Sequence, residues 1–137
     1  MMQIKKIVSL ASISFVFALS NASYSADANN GKKMFRKCIA CHTLSGKHRV
    51  GPTLKKVFGR TAGAAAGYNK YSNDLKAAGI KGLVWDDTSL SDFLRNPKVY
   101  VGRKIGKKKA KLKMSFGGLK KDTNIQNLVA YLKENTK

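Results

Sequence analysis

The chain has 137 residues, enough for one ordinary domain with one modest core and too few for a catalytic domain beside a regulatory one. Apolar residues make up 43% and aromatics 9%, so folding rather than disorder is expected, while 27 Lys plus Arg against 7 Asp plus Glu give a net charge of +20. That charge points to an anionic partner (nucleic acid, an acidic membrane or an acidic protein face), and the two cysteines, Cys38 and Cys41, exclude a disulfide-rich scaffold and a four-cysteine zinc site.

Lys5 and Lys6 precede an uncharged run from Ile7 to Leu19, followed by small and polar residues up to Ala26. A charged start, an apolar middle and a small-x-small end make a secretory signal. Cleavage after Ser25 or after Ala28 fits equally, so residues 1–25 are assigned to the leader and 26–137 to the mature domain. The alternative is an uncleaved membrane anchor, but the apolar run is short of the roughly 20 residues a bilayer requires. Removing residues 1–25 takes away two lysines and no acids, which lowers the charge from +20 to +18. In the oxidising compartment beyond the membrane, two neighbouring thiols must be bridged, metal-bound or covalently modified.

In the mature chain Asn30 is the expected cap of a short helix from Gly31 to Lys37. Thr43 to Gly67 carries nine Gly or Ala residues and one Pro with no periodicity, which reads as loop that wraps something. Tyr71 to Ala78 is expected as a brief helix ending at Gly79. Thr88 is the expected cap of the next helix, with Leu90, Phe93 and Leu94 on one face and Asn96-Pro97 as its stop. Thr123 and Gln126 match a capping box for a last helix in which Ile125, Leu128, Val129 and Leu132 share one face. The pattern is all-α, with about four short helices and much loop. So little helix buries too little apolar surface to offset the ordering entropy, and a large apolar cofactor would complete the core.

Cys38-Ile39-Ala40-Cys41-His42 is the C-x-x-C-H pattern of c-type haem attachment. Two thiols three positions apart at a helix end can reach both vinyl groups of one porphyrin, and His42 then supplies an imidazole to the iron. A thioredoxin-type pair would sit between a strand and a helix, and none is visible. A zinc site from Cys38, Cys41, His42 and His48 has the right count and an odd spacing. For the other axial position the chain offers Met34, His48 and Met114. Met34 lies one turn before Cys38 and suits the core. Met114, followed closely by Gly117 and Gly118, is the best-placed soft sulfur, and a thioether raises the potential relative to a second imidazole.

Several separated motifs then occur in one order: Gly31-Lys32-Lys33-Met34-Phe35, Lys47-His48-Arg49-Val50-Gly51-Pro52, Phe58-Gly59-Arg60, Tyr71-Ser72, Trp85, Asn96-Pro97, Lys113-Met114-Ser115-Phe116 and Leu128-Val129-Ala130-Tyr131-Leu132. In these the chain resembles a class I cytochrome c of the mitochondrial and alphaproteobacterial kind, from Gly31 to the C-terminus. The resemblance implies a small cytochrome c fold, short helices and long loops around one covalently attached haem c. It implies Cys38 and Cys41 as thioether anchors, His42 and Met114 as iron ligands, and the Pro52 carbonyl as acceptor for the His42 imidazole. It also implies Arg60, Tyr71 and Trp85 as partners of a haem propionate. Gly31 and Phe35 become the crossing of first and last helices against Leu128 and Tyr131, and His48 a bridge between loops. Two departures stand out. Phe93 replaces a common tyrosine near the methionine, and residues 102–112 form a longer, very basic loop before Met114. The tyrosine stretch 68–71 is also longer by one residue, so either Tyr68 or Tyr71 could serve the propionate.

With both axial positions filled, the implied activity is one-electron transfer rather than catalysis, in the periplasm and as a monomer. The implied partners are a cytochrome bc-type complex and a terminal cytochrome c oxidase, met through acidic docking faces, with neither nucleic acid nor stable membrane insertion after cleavage. Two rivals follow from other classes: a haem enzyme such as a peroxidase, which needs a vacant sixth site, and a basic nucleic-acid module, which lacks the expected aromatic-spaced basic stripes here.

Overall fold

A computed structural model describes residues 25–137, and the expected leader therefore lies outside the described residues apart from Ser25. Five helices follow in order: α1 (Ala28–Phe35), α2 (Asn73–Ile80), α3 (Asp87–Arg95), α4 (Pro97–Lys104) and α5 (Asp122–Asn135). Among the described residues there is no strand, only one antiparallel bridge between Thr61 and Val84. The all-α architecture holds.

Helix starts follow local hydrogen bonding more closely than composition. Asp27, not Asn30, caps α1, its carboxylate accepting from the N–H groups of Asn29 and Asn30 at 2.8 and 3.2 Å. Ser72 caps α2 by accepting from the Leu75 N–H at 3.2 Å, and the helix runs on to Ile80. At α3 the cap is Asp86 rather than Thr88. Asp86 accepts from the Ser89 N–H and Ser89 accepts from the Asp86 N–H, both at 2.7 Å, a reciprocal capping box. These bonds hold the Asp86 carboxyl below its ordinary range. Helix α5 begins at Asp122 without any side-chain cap bond, so the Thr123–Gln126 box does not form. Helix α4 is additional to the four expected. Asn96-Pro97 does stop α3, but Pro97 then occupies the first turn of α4, where its missing N–H costs nothing, and Asn96 caps it through the Val99 N–H at 3.3 Å.

The fold closes where α1 crosses α5. Gly31 lies so near the partner helix that a Cβ on it would stand 2.0 Å from the Asn127 carbonyl oxygen and 2.6 Å from Tyr131 Cβ. The Asp27 N–H donates to the Asn127 side-chain oxygen at 2.7 Å, and the Phe35 and Tyr131 rings meet at 5.6 Å. Ile125, Leu128, Val129 and Leu132, the predicted stripe of α5, are all buried. They join Phe35, Leu90, Leu94, Val101 and Trp85 in one core. The long segment between His42 and α2 folds back onto residues 83–85, which lead into α3. Ala62 N–H bonds Leu83 O at 2.8 Å, Trp85 N–H bonds Arg60 O at 3.0 Å, and Gly59 N–H bonds Trp85 O at 2.7 Å.

Gly31→Ala should destabilise the folded protein by about 3 kcal/mol, since overpacking an interhelical contact forces the backbones apart. Gly117→Ala, where a Cβ meets nothing within 4 Å, should be nearly neutral. Denaturant midpoints of the two variants check this contrast.

Candidate functional site

The C-x-x-C-H segment continues the C-terminal end of α1 as tight turns. Cys38 N–H bonds Phe35 O at 2.8 Å, and Cys38 O accepts from both Cys41 N–H at 3.1 Å and His42 N–H at 2.9 Å. The two thiols and the imidazole are thereby placed by one stretch of helical backbone. Because this segment follows a helix rather than a strand, the thioredoxin alternative lacks its setting. Cys38 and Cys41 are not bridged to each other, and burial pushes the Cys38 thiol up from its ordinary value, against the neighbouring Lys37 charge.

His42 Nδ1 lies 2.7 Å from the Pro52 carbonyl oxygen, which can only accept, so Nδ1 carries the proton and Nε2 keeps its lone pair. Burial lowers the His42 pKa, only partly opposed by this bond, which favours the neutral ring. A neutral imidazole with its other nitrogen tied down is the form that binds a metal. The approach of Pro52 depends on Gly51, where a Cβ would stand 2.5 Å from His42 Cε1. Gly51 N–H bonds Cys41 O at 2.8 Å, locking the two segments together.

These residues form one wall section of a largely apolar cavity of about 560 Å³. Cys38, Cys41, His42, Pro52, Arg60, Tyr71, Trp85 and Met114, the residues that the resemblance assigned to the haem, border it, whereas the other candidates Met34, His48 and Tyr68 do not. Leu54, Val57, Leu75, Leu90, Leu94, Leu128 and Leu132 supply the apolar lining. Arg60 donates through Nη1 to Lys55 O at 3.3 Å and through Nη2 to Thr53 O at 2.9 Å, while its Nε is buried and has no partner among the described residues. A buried N–H at a cavity wall calls for an acceptor. Burial accordingly lowers the Arg60 pKa, and an anionic group beside it would remove that cost. Tyr71 borders the cavity and accepts from the Ala65 N–H at 3.3 Å. Tyr68 points elsewhere: its hydroxyl donates to Val50 O and its ring contacts His48. Of the two tyrosines, Tyr71 is therefore the one at the cavity. Phe93 stands at the wall edge-on to Trp85, with ring centroids 4.9 Å apart. The set of two thiols, a neutral imidazole, a thioether, an unsatisfied cation and an apolar wall fits a haem with a buried propionate.

His48 is used up by structure. Its Nδ1 accepts from the Thr53 N–H at 3.0 Å and its Nε2 donates to Ala66 O at 2.8 Å, joining two loops. It does not border the cavity, and among the described residues no three His, Cys, Asp or Glu side chains cluster as a metal site, which removes the zinc alternative. Lys70 also borders the cavity, and a lysine in a loop gives no sequence signal of that kind.

A C-x-x-C-H helix end and a distant methionine on one apolar cavity, closed by a helix crossing, define a c-type haem protein. The cytochrome c family model matches residues 28–136. The chain is 47% identical to cytochrome c2 of Afifella marina over 105 residues, covering 75% of this chain and 77% of that one. It is 44% identical to cytochrome c2 of Rhodospirillum rubrum, covering 78% and 96%. The solved structure of cytochrome c2 from Rhodospirillum Centenum superposes with a TM-score of 0.74 at 33% identity, covering 82% of this chain and 100% of that one. The chain belongs to the cytochrome c family. It is an electron carrier with one covalently bound haem c, not an enzyme.

His48→Ala should cost about 1–3 kcal/mol of stability, because the Thr53 N–H and Ala66 carbonyl lose their partner. It should leave the visible spectrum of the haem-loaded protein unchanged. Denaturation monitored beside absorption checks both halves.

Proposed function

We propose that the chain is exported and carries single electrons in the periplasm from a cytochrome bc-type complex to a terminal cytochrome c oxidase. Cys38 and Cys41 would anchor the haem through thioether bonds, His42 and Met114 would donate to its iron, and Arg60, Tyr71 and Trp85 would hold the buried propionate. The observation that carries this reading is the convergence of His42 and Met114, from segments far apart in the chain, on one apolar cavity.

The haem supplies reversible one-electron exchange between ferric and ferrous iron. The chain's own residues determine how that exchange proceeds. Pro52 O holds the imidazole in one tautomer and orientation, so the ring need not reorganise when the charge at the site changes. Met114 offers a soft, uncharged donor that favours the reduced metal. Leu90, Leu94, Leu128 and Leu132 keep water from the wall, which limits solvent reorganisation. With His42 and Met114 both donating, the iron would offer no open position to oxygen or peroxide, which disfavours the peroxidase alternative.

Lys37, Lys70 and Lys113 sit at the cavity margin, Lys104 ends α4, and Lys107, Lys108, Lys109 and Lys111 follow in the loop before Met114. Such a single-sign rim steers an acidic partner and raises association rates by ~10–1000-fold, an effect that salt screens over a Debye length of ~8 Å at physiological ionic strength. No helix of the described residues is long and apolar enough to cross a membrane. The leader at residues 1–25 and the thiol chemistry of Cys38 and Cys41 both suit an exported protein.

Met114→Ala should abolish the sulfur-to-iron absorption band of the oxidised protein and lower the reduction potential, while haem attachment persists. Lys113→Glu should slow electron delivery to an isolated cytochrome c oxidase about tenfold at low salt and converge on wild type near 1 M salt. An unchanged spectrum in the first variant removes Met114 as a ligand. A salt-independent rate in the second removes the docking role.

A further inference from the structure

The loop before Met114 is more ordered than its run of lysines suggests. Its base is folded onto α4: Gly102 O accepts from Ile105 N–H at 3.0 Å and Lys107 N–H at 2.8 Å, and Lys98 O accepts from Ala110 N–H at 2.8 Å. Ala110 is buried, and Gly102 fits so closely that a Cβ would stand 2.8 Å from Lys107 O and 2.9 Å from Lys109 Cα. Beyond Ala110 the chain leaves α4. Residues 112–118, which contain Met114, make no hydrogen bond of their own among the described residues. The strap is pinned downstream by Leu119 N–H on Leu94 O at 2.8 Å. Its upstream pin is Asp74 of α2. One oxygen of this buried carboxylate accepts from the Lys111 N–H at 2.7 Å, and the other accepts from Lys107 Nζ at 2.7 Å.

We propose that Asp74 is a positioning residue for Met114: its carboxylate clasps the basic loop at Lys107 and Lys111 and so fixes the start of the strap against α2. This rests on the reading of Met114 as an iron ligand. The bond from Ala110 ties the loop only to α4, whereas Asp74 ties it to the helix that contributes Leu75 to the cavity wall. Lys107 is half exposed, so the ion pair itself is weak, and the charge-assisted bond to the Lys111 backbone is the stronger part of the clasp.

An added ligand such as imidazole must displace Met114 from the ferric iron, so its apparent affinity rises by the factor by which the closed strap is weakened. Asp74→Ala should bind imidazole about tenfold more tightly than wild type, and hydrogen exchange at the Lys111 amide should accelerate by a similar factor. Asp74→Asn, which keeps an oxygen for the Lys111 N–H without the charge, should fall between the two and carries the test if the alanine variant does not fold. Asp87→Asn, which loses an exposed pair with Lys133 remote from the strap, should change neither quantity. Folded Asp74 variants with wild-type imidazole affinity and wild-type Lys111 exchange overturn the clasp. A wild-type protein without the sulfur-to-iron band overturns the ligand assignment instead, and the clasp is then decided by Lys111 exchange alone.

Discussion

The contact on which the site depends most is the hydrogen bond between His42 Nδ1 and the Pro52 carbonyl. A helix end can present two thiols and an imidazole, but it does not by itself decide which ring nitrogen is protonated or which way the ring turns. The carbonyl settles both, and it reaches the ring only because Gly51 has no side chain and because Gly51 N–H is held by Cys41 O. Burial lowers the pKa of the ring and so favours the neutral form, whose Nε2 lone pair can bind a metal. Attachment motif and proline loop are thus one device made from two segments.

The rest of the chain is organised to enclose that device. The crossing at Gly31 brings α1 and α5 together, and α5 in turn supplies Leu128 and Leu132 to the cavity wall. Helix α3 contributes Leu90, Phe93 and Leu94 from the other elements' side of the core. Long loops are tolerated because they are lashed at intervals by His48, Arg60 and the Thr61–Val84 bridge. Among the described residues, Arg60 Nε is a buried donor without an acceptor. An isolated unmet N–H is costly in a core and useful where a carboxylate of a cofactor must be held.

Much of this was legible in the sequence for physical reasons. Cys38, Cys41 and His42 announce themselves because covalent attachment fixes their spacing, and the α5 stripe because burial on one face fixes a period of 3.6. Every residue assigned to the site borders the cavity. Features determined by competition among neighbours were harder to read. Asp27 and Asp86 outcompeted Asn30 and Thr88 as caps, since a charged oxygen bonded to N–H groups holds a helix start strongly. Helix α4 escaped because Asn96-Pro97 is both a stop and a start, and its Gly102 and basic residues carry no apolar stripe. The pairing of Asp74 with Lys107 and Lys111 joins positions with no common pattern, so only the folded chain brings it to view.

These features converge on a carrier whose chemistry resides in a tethered cofactor and whose polypeptide sets orientation, dryness and charge. The most direct check is the mass and colour of the protein isolated from its own host after acid–acetone extraction. The account predicts a single haem retained through thioether links on peptides containing Cys38 and Cys41. A colourless chain, or a porphyrin that the solvent removes, would contradict it.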